Sequence, residues 1–409
     1  MVSESATARA ASCLREFQSR TEQQRQSDVS PVVRIDGFTA ARDVLRSPSV
    51  RQAGFNAELV ARFIGRRHAP VLYQDGEPHQ RQRSATARFF APRVVATRYR
   101  ELIERTSRDL IDRFRVAGRA RLDDMSLELA VAVAADIVGL TDSPRDRMAV
   151  RLNRFFSAPP RDGGLRAMLR QVLLGQYRML SFYWFDVRPA IQARRRDPRE
   201  DEISHLIGQS YSNREILTEC LTYGAAGMAT TREFIVMAAW RLLEHDDLKT
   251  RFLATDEPER MTILEEVLRL EPVVSVLKRR AEREIALDTE SGPVVIPAQS
   301  LVEIDVAAAN RDTAATGPCP HQLDPDRTRP AKVSASVMSF GDGPHRCPGA
   351  SVALHEAAIF LDQLLRVPGL RLERPPTVSI NPVSTGYELR DAVIVADAAF
   401  GTPHGRAER

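Results

Sequence analysis

The stretch Phe340-Gly341-Asp342-Gly343-Pro344-His345-Arg346-Cys347-Pro348-Gly349 sets one cysteine in a glycine-rich turn. The run that follows, residues 351–365, reads as an amphipathic helix. Gly341 and Gly343 are free to take positive φ, so the backbone can fold sharply around the sulfur and aim N–H groups at it. Pro348 suits a first helical turn, where its missing donor costs nothing. A thiolate at a helix N-terminus, hydrogen-bonded by amides, is stabilised as an anion and becomes a metal ligand.

A glycine-rich strand-to-helix turn holding a small buried cysteine is ordinarily the commoner outcome, but here the spacing is specific. The order Phe, Gly, x, Gly, x, His, x, Cys, x, Gly resembles the signature loop of the cytochrome P450 family, the haem-thiolate monooxygenases. The resemblance implies that Cys347 is the axial ligand of haem b, iron protoporphyrin IX. It gives Phe340 a place against the cofactor near the sulfur and His345 an approach to a haem propionate, and it counts Gly349 among the cofactor contacts. The implied fold is the family's single triangular prism, mainly α with small β-sheets. It would cover residues 28–400, between a polar N-terminal segment, 1–27, and a polar tail, 401–409.

Composition agrees with a globular protein of this size. The chain has 409 residues, 43% hydrophobic and 27% charged. A formal charge of +4 suits a basic docking patch better than a nucleic-acid groove. The densest basic run, Arg194-Arg195-Arg196, is followed at once by Asp197 and by Glu200-Asp201-Glu202, as in a solvated turn. The first residues carry no apolar leader and no stretch of 18 apolar residues occurs, so neither membrane nor nucleic acid is an expected partner and a cytoplasmic location is. The four cysteines, Cys13, Cys220, Cys319 and Cys347, lie far apart without a CxxC, which argues against a disulfide framework. Cys319-Pro-His321 and His345-Arg-Cys347 nominally supply a zinc set, but single-residue spacers strain the chelate, and zinc is the weaker reading.

Along the chain, Val32-Val-Arg-Ile reads as a short strand and 38–48 as a helix. Residues 50–75 show no period and suggest a long loop. Patterns from Glu77 to about Arg188 are helical, broken at 157–164; 204–250 and 260–271 are helical as well. Residues 284–306 alternate as β-hairpins do, and 310–332 read as irregular coil.

Several further constellations gain meaning beside the cysteine loop. Glu266-x-x-Arg269 places an acid and a base on one helix face, and Thr262 with Glu265 suggests a capping box at that helix's start. The pair resembles the family's buried Glu-x-x-Arg, a structural lock behind the haem. A second capping box, Ser212 with Glu215, opens a helix of about 30 residues, roughly 45 Å long. Its middle, Gly224-Ala225-Ala226-Gly227-Met228-Ala229-Thr230-Thr231, is costly in small residues; a close helix crossing would explain them, and the resemblance makes them the oxygen-binding groove. Thr230 then matches the threonine that assists proton delivery, while Ala229 departs from the Asp or Glu usual there. Glu233, one turn on, is the residue expected to relay protons in its place, with the substrate as the alternative source. His79 and Arg83, spaced i,i+4, resemble the helix that grips a propionate. Arg279 matches a further propionate arginine, with Arg280 as its competitor. Arg81, Arg88, Arg93, Arg98 and Arg100 offer a basic face for an acidic ferredoxin.

The resemblance therefore implies an enzyme that draws electrons from NAD(P)H through a ferredoxin reductase and ferredoxin. It would insert one oxygen of dioxygen into a small organic substrate, in the tailoring of a specialised metabolite. Two rivals stand beside it: a haem-thiolate enzyme driven by peroxide or nitric oxide, suggested by Ala229, and a non-catalytic haem sensor, against which Thr230 argues. The pocket is expected from residues 50–75, 155–185, 220–231, 273–277 and 383–387, with Arg62, Arg66, Arg67 and His68 hinting at a polar or anionic group.

Overall fold

The computed structural model describes residues 31–54, 69–156, 165–289, 292–381 and 385–397. The N-terminal segment, the tail, the breaker at 157–164 and the four basic residues Arg62, Arg66, Arg67 and His68 lie outside the described residues.

The helices, in chain order, are α1 (Phe38–Arg46), α2 (Gly76–Phe90), α3 (Arg100–Ala117), α4 (Leu122–Val138), α5 (Arg145–Phe156), α6 (Leu165–Phe182), α7 (Arg188–Arg196), α8 (Glu202–Gly208), α9 (Asn213–Tyr223), α10 (Thr230–Glu244), α11 (Asp246–Ala254), α12 (Glu257–Leu270) and α13 (Ala350–Leu365). The strands are β1 (Val32–Ile35), β2 (Val50–Ala53), β3 (Arg119–Arg121), β4 (Val276–Ala281), β5 (Ile285–Thr289), β6 (Gly292–Ile296), β7 (Leu301–Asp305), β8 (Arg371–Arg374), β9 (Thr377–Asn381), β10 (Gly386–Arg390) and β11 (Val393–Val395). The molecule is mainly α with small sheets. No described helix is long and apolar enough to cross a membrane.

Helix α10 is the axis of the core. Residues Phe234, Ile235, Val236, Met237, Ala238, Ala239, Trp240 and Leu242 are all buried, so the helix is apolar on every side and must be surrounded. It packs among α3, α4, α12 and α13 in one continuous cluster. Helix α9 runs into it through a π-helical turn, Gly224–Ala229, so the long helix foreseen from the sequence is present. Its Ser212–Glu215 capping box forms with both reciprocal bonds. π turns are uncommon and concentrate at functional sites.

Three sequence expectations are corrected. Helix α12 begins at Glu257, capped by Asp256, whose side chain accepts from the Glu259 N–H; Thr262 lies inside it and donates to the Pro258 carbonyl. The 284–306 region contains one hairpin, β5–β6, while β7 joins a larger sheet of order β1-β7-β4-β2. In that sheet β1 runs parallel to β7, pairing Val32 with Leu301 through Ile35 with Ile304. Strand β4 is antiparallel to both β7 and β2. Strand β2 lies in the stretch expected to be loop.

Candidate cofactor site

The cysteine loop is held in shape from both sides. Gly341 and Gly343 adopt φ of +69° and +67°, as the turn was expected to need. A Cβ on Gly343 would stand 2.4 Å from the carbonyl oxygen of Leu45 in α1, so only glycine fits. Asp342 accepts from the Gly343 N–H at 2.6 Å and takes a bidentate ion pair from Arg46, fixing the loop to the end of α1. The Cys347 N–H donates to the Phe340 carbonyl at 2.8 Å. Phe340 packs against the main core cluster.

Burial pushes the Cys347 thiol up; the N–H groups of Gly349 and Ala350 and the charges of Arg83 and Arg346 oppose it. The side chain is open on one side, and Cys347 keeps accessible surface. The amide donors expected at the helix start are therefore in place.

Beside the cysteine, basic side chains converge from three segments, α2, β4 and the cysteine loop. His79 is buried on α2, and its ring stacks on His345 of the loop with centroids 4.1 Å apart. Arg83, one turn on, donates to the Arg346 carbonyl at 2.6 Å. Arg279 on β4 turns inward and is buried, whereas its competitor Arg280 faces out and donates to the Gln299 carbonyl. Asp75 is the acid among them. It accepts from His345 Nε2 at 3.1 Å and from the Gln52 N–H of β2 at 3.2 Å. Burial alone would raise the Asp75 carboxyl, but His345, that N–H and Arg279 together hold it below its ordinary value.

Burial and neighbouring positive charge both act on these groups. Burial, His345 and Arg83 push His79 down to about 4. Burial lowers Arg279 to about 10, with Asp75 opposing. A site with two guanidinium groups, two imidazoles and one carboxylate is short of negative charge. A thiol ringed by amides, next to a pocket of cations, fits a metal macrocycle that carries its own carboxylates. The residues thus suit haem with its two propionates.

Behind the loop, Glu266 and Arg269 are fully buried and paired through two bonds of 2.7 and 2.8 Å. Arg269 also donates to the carbonyls of Asn310, Pro320 and Gln322. Arg327, which the sequence reading missed, donates to the carbonyls of Thr316, Pro318, Cys319 and Gln322. Asn310 extends the network: it accepts from the Met338 N–H and donates to the Ser339 hydroxyl. The stretch from 310 to 339, expected to be coil throughout, holds a short helix, Thr313–Thr316, capped by Asp312, and is otherwise irregular; buried guanidinium groups order it and it delivers the chain to Phe340.

Thr230 and Ala229 stand at the end of the π turn, in no hydrogen bond or ion pair with the cationic cluster among the described residues. The Thr230 hydroxyl donates to the Ala226 carbonyl. Glu233 departs from expectation. It is buried, its Oε1 takes bonds from Arg232 and Arg390, and its Oε2 accepts the Leu389 N–H at 2.7 Å. Both oxygens are committed to fastening α10 to β10, which leaves no free one to carry a proton. The basic face is likewise partly spent. Arg100 pairs with Glu257 and Glu104, Arg98 with Glu200 and Arg81 with Glu77, while Arg88 and Arg93 are exposed.

Comparison with known proteins adds a second line. A family model for Cytochrome P450 matches residues 261–384, from α12 through the cysteine loop. The chain is similar to Nocardicin C N-oxygenase of Nocardia uniformis subsp. tsuyamanensis, 30% identical over 364 residues, covering 86% of this chain and 83% of that one. It is also similar to the putative cytochrome P450 YjiB of Bacillus subtilis (strain 168), 28% identical over 76% of each chain. Among solved structures, P450BioI in complex with hexadec-9Z-enoic acid ligated acyl carrier protein superposes with a TM-score of 0.74, covering 94% of this chain and 99% of that one. At 22% identity that likeness speaks to the fold alone.

Proposed function

The chain belongs to the cytochrome P450 family, and on that premise we propose that it is a haem b monooxygenase reduced by a ferredoxin chain. It inserts one oxygen atom of dioxygen into a small organic substrate, in the tailoring of a specialised metabolite. The observation that carries the reading is the pairing of Cys347, ringed by the Gly349 and Ala350 amides, with a buried cationic pocket short of negative charge.

Cys347 would hold the iron; His79, Arg83, Arg279 and His345 would take the propionates, with Phe340 packed near the sulfur and Gly349 lending its N–H. The haem, when bound, supplies the activation of dioxygen. The chain's own part is to orient and to manage protons. The amides of Gly349 and Ala350 would offset part of the cost of burying charge on the Cys347 sulfur, and the Thr230 hydroxyl, now on the Ala226 carbonyl, would turn toward a ligand in the groove. With Glu233 tied down, the proton comes from substrate or from water lined up by Thr230. A second reading, a haem-thiolate enzyme driven by peroxide, draws on the same two facts: no carboxylate at Ala229 and none to spare at Glu233.

The test is turnover of a substrate panel with ferredoxin, ferredoxin reductase, NAD(P)H and 18O2. Product carrying one labelled oxygen supports the proposal. Product formed only when hydrogen peroxide is supplied would replace it with the second reading.

A further inference from the structure

Glu219 is a carboxyl that neither the cofactor site nor the proposed chemistry uses. It lies on α9, buried, and takes no ion pair among the described residues. Its Oε1 accepts two bonds, from the Val71 N–H at 3.0 Å and from Gln82 Nε2 of α2 at 2.5 Å. Gln82 Oε1 in turn accepts from Gln74 Nε2 at 2.6 Å, and that nitrogen also donates to the Ala69 carbonyl. Glu219 Oε2 has no hydrogen-bond partner among the described residues. One buried acid thus gathers Ala69, Val71 and Gln74 onto two helices, and a buried acceptor that holds such donors is costly to remove.

The segment so held links α9 to the cysteine loop. It makes one 3-10 turn, Val71–Tyr73, with Val71 buried, and runs straight into Asp75. Asp75 accepts from His345 of the loop and from the Gln52 N–H of β2. Residues 69–75 are therefore pinned beside α9 at one end and to the cofactor site at the other. Tyr223, one turn on from Glu219, ends α9, and the small-residue turn Gly224–Ala229 follows at once. The Tyr223 hydroxyl interacts electrostatically with Arg83, which donates to the loop's Arg346 carbonyl. The segment thus walls the space between the small-residue turn and the loop.

We infer that Glu219 is a positioning residue: by clasping 69–74 to α9 and α2 it fixes this wall and so sets which substrates the groove admits. The inference rests on the groove being the substrate side of the cofactor, as proposed above, whereas the clasp is tested without it. The chemistry of the clasp makes it sensitive to pH. The Val71 and Gln82 donors favour the ionised acid, but burial outweighs them and raises Glu219 to about 7. No base relieves it. From α8 it meets Glu202, another acid; Tyr211 precedes α9, and Cys220 and Tyr223 lie on it. Arg88 of α2 acts on Glu202. Opening the segment lets water reach Glu219 and returns it to the ordinary carboxylate range. The closed clasp therefore holds its proton more tightly than the open one. Its stabilisation is complete below about pH 4 and is lost as pH rises through about 7.

The experiment is hydrogen exchange of the full-length protein, read by mass spectrometry on the peptide that covers residues 69–74. In wild type, exchange corrected for its intrinsic pH dependence should rise about tenfold or more between about pH 5 and about pH 8. Glu219→Gln keeps an acceptor oxygen and cannot ionise, so it should stay protected and flatten that rise. Glu219→Leu removes both bonds and should speed exchange about tenfold or more at about pH 6. Gln74→Ala, which touches no buried acid, should speed it several-fold. Absorbance titrations with imidazole and phenylimidazole give the second readout. Glu219→Leu should weaken the larger azole several-fold and leave imidazole unchanged, with Glu219→Gln matching wild type. Equal exchange in wild type, Glu219→Leu and Gln74→Ala would overturn the inference, as would a pH rise undiminished in Glu219→Gln. Equal weakening of both azoles would place the effect at the cofactor, not the wall, and overturn it too. Exchange needs neither turnover nor azole, so a failed haem reading and a failed clasp give different results.

Discussion

At the scale of single residues, Glu233 shows how one environment reassigns a side chain. On the sequence it sits one turn beyond Thr230 and looks free to relay a proton. In the fold it is enclosed by Arg232, Arg390 and the Leu389 N–H. Glu233→Gln should therefore lower stability by about 1–3 kcal/mol, through loss of charge-assisted bonds, and leave product formed per NAD(P)H unchanged. Calorimetry and a coupling assay check the two halves; a fall in coupling at unchanged stability would restore the relay. Ala229→Asp should leave coupling nearly unchanged, because substrate or water already supplies the proton; a several-fold rise would favour the peroxide-driven reading. The relay reading fails because i,i+3 spacing from Thr230 reports which face a side chain shares, not what reaches it from another element. Arg279 against Arg280 is the opposite case: strand alternation puts one inward and one outward, but which is which depends on β7 and β2 on either side.

At the scale of elements, local chemistry is what the sequence shows most clearly. The Ser212–Glu215 box and the glycine turn ahead of Cys347 each lie within a few residues of what they organise, so they were legible. Strand β4 was not. Its Lys278-Arg279-Arg280 shows no apolar alternation, yet Lys278 pairs with Glu303 of β7 and Arg279 turns inward. Only long-range pairing makes that segment a strand. The start of α12 was misplaced for a related reason: Thr262 and Glu265 fit a capping pattern, but Asp256, six residues earlier, caps first. The network behind the loop gives this scale its prediction. Arg327 is buried and holds four carbonyls of the 310–339 coil with Glu266 beside it. Arg327→Ala should cost about 3–5 kcal/mol, as the loss of one partner of a buried charged network does, and should speed haem loss. Chemical denaturation and haem transfer to apomyoglobin would measure both; an unchanged haem-loss rate would mean the coil does not govern the cysteine loop.

At the scale of the whole molecule, the packing of α2, α8 and α9 encloses acids that no motif announced. Burial and the nearby Glu219 raise Glu202 to about 8, and burial raises Glu219 to about 7. Neither carboxylate oxygen of Glu202 has a hydrogen-bond partner among the described residues. Both folded values exceed the ordinary carboxylate range, so the fold favours the protonated acids. Their contribution is complete below about pH 4 and is lost as pH rises through 7 and 8. The melting temperature should fall between pH 5 and 9, and Glu202→Gln should flatten that fall. An unchanged slope in the variant would show that Glu202 ionises freely in the folded state. These acids were invisible in the sequence because burial is decided by three elements meeting, whereas the family and its cysteine were legible from ten adjacent residues.

If Cys347 is the thiolate ligand of a haem, the ferrous carbonyl spectrum reports it. The wild type should show the strongly red-shifted band of a thiolate-ligated haem. Cys347→Ser should abolish that band, while Cys220→Ser and Cys319→Ser keep it. Persistence of the band in Cys347→Ser, or its absence from haem-loaded wild type, would contradict the account.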